Sequence, residues 1–330
     1  MGTVLGCQSM DLSNASILVT GGTGSFGKKF AEIVVKECKP KRLAIFSRDE
    51  LKQHDMHAEG FDAPCMRYFI GDVRDQNRLR RAMAGVDVVI HAAALKHVTA
   101  CEYNPLEAVE TNIGGARNVV EAALDAGVKK VVALSTDKAV NPVNLYGATK
   151  LVAEKIFTQG NAYSGNAPTQ FSCVRYGNVV GSRGSVIPVF LKQRETGTIT
   201  ITDDRMTRFW ITLEQGVRLV MRAIADMGGG EVFVPKIPSM RITDLADAVA
   251  PGCARKIVGI RAGEKLHEVL LSEDESRHAV ELKDSFVILP EYPTWTSQTE
   301  WPKPNTKEGY RYASDTNTDW LTVEQLKKML

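Results

Sequence analysis

Residues 135–138, Ser-Thr-Asp-Lys, put two hydroxyls, a carboxyl and an amine directly after the apolar run 131–134. A buried strand that ends in four proton-bearing side chains offers a place to take up and return protons. Tyr146 and Lys150 follow, four residues apart. On a helix that spacing sets the phenol and the ammonium on one face, where the positive charge would favour the phenolate. A phenolate next to an acid and an amine suits removal of a hydroxyl proton from a substrate, coupled to a redox step.

The preceding segments are of the kind that would position such a cluster. Residues 16–20 read as a strand, followed by Gly21-Gly22-Thr23-Gly24-Ser25-Phe26-Gly27 and an amphipathic stretch, 28–38. Strand, glycine loop and helix together form a cradle for a pyrophosphate, whose charge the helix N-terminus receives. A second strand, 42–46, leads into Ser47-Arg48-Asp49. An acid at that tip would bond the 2′-hydroxyl of NAD, whereas Ser47 and Arg48 can hold a 2′-phosphate, so the reading leans to NADP. The alternative has Arg48 as a solvated charge paired with Asp49 or Glu50. Asp72, followed by Val73, is either a partner for the adenine amino group or a helix cap. After a strand at 86–90, Ala92 and Ala93 are small enough for a cofactor to lie close. Lys96 contacts a phosphate or sugar, or is a surface charge, and His97 is read as structural or as a substrate contact. Helical spacing runs through 107–126 and encloses Asn112, an amide in an unfavourable place.

Composition narrows the class. The 330 residues contain 41 Lys and Arg against 39 Asp and Glu, which argues against a nucleic-acid or membrane footprint. Six cysteines are scattered without metal-ligand spacing, as reduced thiols would be, and no metal site is expected. No apolar run approaches the roughly 18 residues of a spanning helix. A soluble, cytoplasmic α/β protein is expected. Its fold class is a Rossmann-like doubly wound parallel sheet, with a dinucleotide-binding domain at 16–176 and a smaller C-terminal α/β substrate lobe at 177–330, some of whose segments return to the first domain. Residues 1–15 are read as a disordered leader, 290–304 as a loop and 320–330 as a closing helix.

The glycine spacing, the Tyr146/Lys150 pair and several longer stretches carry a family likeness. These stretches include Ser47-Arg48-Asp49-Glu50-Leu51-Lys52-Gln53, Ser135-Thr136-Asp137-Lys138-Ala139, Met206-Thr207-Arg208-Phe209-Trp210 and Gly263-Glu264-Lys265-Leu266-His267-Glu268. On these residues the chain resembles the extended short-chain dehydrogenases that act on nucleotide sugars. Within them it is similar to the C5-inverting UDP-N-acetylglucosamine 4,6-dehydratases of pseudaminic acid biosynthesis. The resemblance implies a tightly bound NADP recycled within each turnover, a UDP-N-acetylglucosamine substrate and a homo-oligomer such as a hexamer. It implies Tyr146 and Lys150 as the oxidation pair, also in contact with the cofactor, Thr136 as the group orienting the sugar 4-hydroxyl, Asp137 as acid and Lys138 as base. Asn112 would hold Lys150 through water. Ordinary 4,6-dehydratases carry Glu where Lys138 stands. The base and acid roles require a neutral Lys138 and a protonated Asp137, which desolvation beneath a sugar would favour. Asn178, Arg183, Thr207, Arg208, Arg261 and Glu264, with Trp210, are implied as the UDP-sugar site. A C5-retaining dehydratase, a sugar-nucleotide epimerase and a redox-sensing binding protein are the alternatives. A sensor would need neither the acid nor the base.

Overall fold

The computed structural model describes residues 12–165, 167–181, 186–292 and 300–329. Strands and helices alternate through the first half: β1 (Ser16–Thr20), α1 (Ser25–Glu37), β2 (Arg42–Ser47), α2 (Glu50–Ala58), β3 (Met66–Ile70), α3 (Gln76–Met83) and β4 (Val88–His91). Next come α4 (Val98–Tyr103), α5 (Pro105–Val109), α6 (Gly115–Ala126), β5 (Lys130–Leu134), α7 (Leu145–Gly160) and β6 (Gln170–Val174). The second half adds β7 (Asn178–Val179), α8 (Val186–Arg194), β8 (Thr198–Ile201), β9 (Thr207–Ile211), α9 (Leu213–Asp226), β10 (Val232–Pro235), β11 (Ser239–Arg241) and α10 (Ile242–Val249). It ends with β12 (Ala254–Ile257), β13 (Val269–Leu271), β14 (Ala279–Glu281), β15 (Ser285–Ile288), β16 (Tyr312–Ala313) and α11 (Val323–Met329).

Every residue of β1 and β4 is buried. That is the mark of parallel strands covered by helices on both faces. They pair in the order β3-β2-β1-β4-β5-β6-β10, all parallel, and β15 and β14 continue the sheet antiparallel. Register places Leu18 between Ala44 and Val89, and Val131 between Val89 and Phe171. Helices α1 and α9 meet on one face, joined by the Arg218–Glu37 ion pair. On the other face α6 packs with α3 and α7. Phe30, Phe46, Phe157 and Phe171, each at most 1% exposed, fill the space between. Each stabilises the fold by about 2 kcal/mol through burial. The doubly wound parallel sheet is the fold class read from the sequence.

After β6 the chain leaves the main sheet to build a second core of Ile187, Phe190, Ile199, Trp210 and Leu245. This lobe holds the small sheets β11-β9-β7 and β12-β8, while β10, β14 and β15 lie in the main sheet.

Three local readings differ from the observed chain. Leu12 and Ala15 are buried, so the described end of the presumed leader joins the core. The continuous helix at 107–126 is broken by a π turn over Glu110–Gly114 that contains Asn112. The closing helix begins at Val323, because Trp320 is held by its indole N–H on the Asn317 carbonyl. Within the loop at 290–304, residues 293–299 lie outside the described residues. No helix among the described residues is long and apolar enough to cross a membrane.

Candidate active site

The C-terminal ends of β1, β2, β4 and β5 open into a cleft of about 1140 Å³ whose far wall comes from the second lobe. At the end of β5 the backbone stays tied to β6, Ser135 N–H to the Val174 carbonyl and Asp137 N–H to the Tyr176 carbonyl. Residues Asp137–Ala139 then turn sharply. Asn144 caps α7 by accepting from Gly147 N–H at 2.7 Å, which starts the helix one residue before Tyr146. A Cβ at Gly147 would overlap the Lys138 carbonyl oxygen. Glycine there lets α7 touch the turn, and this close approach brings Tyr146 against Thr136 and Lys138.

Tyr146, Lys150, Thr136 and Lys138 all line the cleft. Thr136 Oγ1 donates to Asp137 Oδ1 at 2.8 Å and hydrogen-bonds the Tyr146 phenol. Lys138 Nζ donates to the same Asp137 Oδ1 at 3.0 Å. Asp137 itself is 0% exposed, stands behind the lining, and its Oδ2 has no partner among the described residues. Thr136 and Lys138 stand between its carboxyl and the cleft.

Burial pushes the Tyr146 phenol up to about 12, and the Asp137 charge adds to this, while Lys138 and the Thr136 hydrogen bond oppose it. The cation favouring the phenolate is thus Lys138, where the sequence suggested Lys150. Lys150 instead donates to the Leu134 carbonyl at 2.6 Å, and burial lowers its own pKa. Asp137 is raised, first by burial and then by the carboxylate of Glu268. Burial alone would lower Lys138, but Asp137 and Glu268 outweigh it and hold the ammonium above its usual range. The two flanking carboxylates thus favour the ammonium form of Lys138, and the neutral form read from the sequence belongs to the desolvated, sugar-covered site.

Glu268 was not among the candidate residues. It is 2% exposed, with Oε1 3.3 Å from Lys138 Nζ and 3.8 Å from Arg208 Nε. Burial would raise it, but Lys138, Arg208 and Lys265 together hold it below the usual carboxylate range. The only signal for it in the sequence was its place in the Gly263–Glu268 stretch. Asn112 lies on the π turn that packs against α7. Its amide donates to Thr149 Oγ1 and pairs with both the N–H and the carbonyl of Leu95, locking the loop after β4 to α7. Glu154 was also missed. One turn beyond Lys150, it accepts from Ser135 Oγ at 2.6 Å and from the buried Arg175, which also donates to Glu275 and the Leu270 carbonyl.

On the other side of the cleft, Gly21 turns at φ +66°, where a Cβ would lie 2.8 Å from the Ala93 backbone. Gly24 caps α1 without any side-chain bond, so the first N–H groups of the helix stay available. Thr23, Ser25 and Phe26 line this end and Gly27 sits behind them within α1. With Ala92, Ala93 and Val73 lining the cleft alongside, these residues fit a dinucleotide: an uncapped helix end faces a cleft walled by small residues. Ser47 Oγ is 2.9 Å from Thr23 Oγ1, and Arg48 faces the cleft 3.7 Å from Asp72. Asp49 is spent capping α2, accepting from Lys52 N–H at 3.0 Å. Asp72 binds Arg74, and Asp75 caps α3, so Asp72 is not the helix cap considered from the sequence.

The second lobe contributes Asn178, Arg208, Trp210, Arg261 and Glu264 to the lining, and Lys96 lines the cleft from the β4 loop. One assignment is corrected. Thr207 is buried, its hydroxyl on His267 and Ser314, and does not line the cleft. Arg208 lines the cleft while its guanidinium donates to the Thr207, Lys265 and Leu266 carbonyls, with Nε 3.8 Å from Glu268. Arg261, by contrast, is largely exposed and only loosely paired with Glu264 at 3.9 Å. Arg183 lies outside the described residues.

Residues 17–290 match a family model described as a polysaccharide biosynthesis protein. The chain is 52% identical over 324 residues, 96% of its length and 97% of the relative's, to the UDP-N-acetylglucosamine 4,6-dehydratase (inverting) of Campylobacter jejuni. It is 40% identical over 328 residues, 96% of its length and 95% of the relative's, to the UDP-glucose 4-epimerase of Rickettsia conorii. Among solved structures, Pen from Bacillus thuringiensis superposes with a TM-score of 0.89 at 41% identity, covering 97% of this chain and 98% of that one. The dTDP-glucose 4,6-dehydratase DesIV of Streptomyces venezuelae, solved with NAD, has a TM-score of 0.66 at 22% identity over 76% of this chain and 86% of that one, a likeness of fold alone.

Proposed function

The chain belongs to the polysaccharide biosynthesis family, within the extended short-chain dehydrogenases, and on that premise we propose that it removes water from UDP-N-acetylglucosamine across C5 and C6, inverting C5. The observation that carries this reading is the Asp137–Lys138 pair at the cleft floor, 3.0 Å apart and directly beside Tyr146. A simple oxidation or epimerisation at C4 needs a phenolate and no second acid and base.

Bound NADP would supply reversible oxidation at C4 and reduction at C6. Tyr146, as phenolate, takes the proton of the sugar 4-hydroxyl, which Thr136 orients. The 4-ketone acidifies the C5 hydrogen. As the sugar displaces water, the Lys138 ammonium passes a proton to Asp137 along their hydrogen bond, leaving the neutral amine and the carboxylic acid. Lys138 takes the C5 proton, its electrons form the C5–C6 double bond and the C6–O bond breaks. The departing hydroxyl takes a proton relayed from buried Asp137 through Thr136 Oγ1, which is 2.8 Å away. Sharing one proton between two poised groups is the usual way to run acid and base chemistry together near neutrality.

NADP is favoured over NAD because Ser47 and Arg48 line the cleft at the β2 tip, while the carboxylate of Asp49 beside them is engaged by the Lys52 N–H and ammonium. The product is the class of 4-keto-6-deoxy sugar that opens pseudaminic acid biosynthesis and, through it, flagellin glycosylation. We assign the dinucleotide to the 16–176 domain, the UDP-sugar to the lobe from 177 on, and a homo-oligomeric state to the protein. Incubation with UDP-N-acetylglucosamine and NADP in deuterated water, followed by proton NMR, is the test. The expected product has a 6-methyl group, a 4-ketone and deuterium at inverted C5. Conversion to the C4 epimer with no methyl signal would instead favour the epimerase reading, which the 40% identity to a protein of that name supports.

A further inference from the structure

Lys138 needs one hydrogen bond to be held, yet it lies between two carboxylates, Asp137 Oδ1 at 3.0 Å and Glu268 Oε1 at 3.3 Å. The two acids are anchored differently. Asp137 meets Lys138, the Thr136 hydroxyl and the more distant charge of Glu268. Glu268 also meets Arg208, whose Nε is 3.8 Å from the same Oε1, and Lys265, whose Nζ is 4.0 Å from Oε2. Its backbone is pinned to Ser314, N–H to Oγ at 2.9 Å and carbonyl to N–H at 2.8 Å. Lys265 in turn donates to the Val140 carbonyl, just past the catalytic turn. Glu268 faces the cleft, and its Oε2 is buried without a hydrogen-bond partner among the described residues. Fold stability alone does not account for a carboxylate buried with one oxygen bare.

We propose that Glu268 is a positioning residue for the dehydration half of the reaction: its fixed carboxylate holds Lys138 Nζ at the cleft wall and is the counter-charge for the ammonium formed when Lys138 takes the C5 proton. The inference rests on the dehydratase reading. During elimination Asp137 gives up its proton just as Lys138 gains one, so Asp137 begins the step uncharged and cannot steady the amine. Glu268 is charged throughout, because Arg208 and Lys265 also face it. The groups facing the Lys138–Asp137 pair are Glu268, Arg208, Lys265 and the Tyr146 phenol. Only Glu268 among them brings a negative charge, and it strengthens proton binding by both members of the pair. Its removal moves both ionisations of the pair to lower pH, and with them both limbs of a bell-shaped rate profile.

The test uses the full chain with NADP and UDP-N-acetylglucosamine as the probe. For Glu268→Gln, calorimetric affinity for the probe stays within about threefold of the parent, and reduced nicotinamide still forms on mixing. Formation of 6-methyl product falls about 100-fold, and the whole kcat profile slides to lower pH by about one unit. Glu268→Asp, which keeps the charge but draws it back, recovers most of the rate and shifts the profile less. A Glu268→Gln rate equal to the parent's overturns the proposal. So do a lowered profile with its limbs in place, loss of cofactor reduction, or an aspartate variant no better than the glutamine, since a structural role would give those. Should Glu268→Gln not fold, the aspartate profile decides: unmoved limbs overturn the proposal and an acid shift supports it. If the unsubstituted protein makes no 6-methyl product, the dehydratase reading itself fails, an outcome distinct from all of these.

Discussion

Along β1, β2 and β4 the cleft wall is largely backbone, hydroxyls and methyl groups, Gly21 against Ala93, Thr23 with Ser47 and an uncapped α1, with the Arg48–Asp72 pair beside them. Across from it, where the second lobe meets the end of β5, the wall is charge on charge: Lys138, Glu268, Arg208 and Lys265 within about 4 Å of one another in sequence of contact. The first wall is assembled within the first half of the chain. The second is stitched between distant segments, Asn144 to the Gly263 carbonyl 119 residues on and Lys265 to Val140 across 125. A wall of backbone can bind an invariant group such as a pyrophosphate with little adjustment, whereas a wall of mutually compensated charges keeps ionised the buried side chains that burial alone would neutralise.

If that contrast is right, substitutions on the charged wall should separate the steps of the reaction, and those on the backbone wall should change cofactor binding alone. The largest effect is expected at the group serving both halves. Tyr146→Phe should reduce C4 oxidation and product formation together by about 10⁴-fold, the upper end for a lost general base, seen as no reduced nicotinamide on mixing with UDP-N-acetylglucosamine. Lys138→Ala should leave that first oxidation and lower product formation by about 10³-fold. Normal deuterium exchange at C5 in this variant would remove Lys138 as the base. Behind the charged wall, Glu275 is held at about 2, against an ordinary 4.5, by Arg175 overcoming its burial. A depressed carboxylate stabilises the fold above its unfolded pKa and loses that contribution as pH falls through the folded value. Glu275→Gln should therefore cost about 3 kcal/mol near neutrality and flatten the loss of stability between pH 4.5 and 2, measured by denaturant unfolding across that range. The smallest effect belongs to the backbone wall. Arg48→Ala should weaken NADP by about 2 kcal/mol, roughly thirtyfold by titration, with NAD affinity and unfolding unchanged. Loss of both cofactors alike would show Arg48 to be no 2′-phosphate contact.

The same contrast explains what could be read from the residues alone. β1, the glycine loop and α1 follow from an apolar run, a spacing of glycines and an amphipathic stretch, all within a few turns of chain. So do β5 and the Tyr146/Lys150 helix. Glu268 could not be read this way. An acid preceding an apolar strand resembles any surface charge until folding sets it 3.3 Å from Lys138. The surroundings of Lys138 were half legible for the same reason, since the sequence shows the burial that favours the neutral amine and hides the second carboxylate that favours the ammonium. Thr207 sits in a stretch that suggested ligand contacts, yet its hydroxyl is absorbed by His267 and Ser314.

Asn112 reaches across with both ends of its amide, accepting from Leu95 N–H at 2.8 Å and donating to the Leu95 carbonyl at 2.9 Å. A side chain here imitates a peptide group and adds one rung of ladder beyond the end of β4, where no further strand is available to pair. The π turn at Glu110–Gly114 carries the residue that supplies this rung. The loop bearing Lys96 and His97 consequently begins from a tethered residue, and fixing even one residue's backbone in advance removes about 1–2 kcal/mol of ordering that a ligand would otherwise have to oppose.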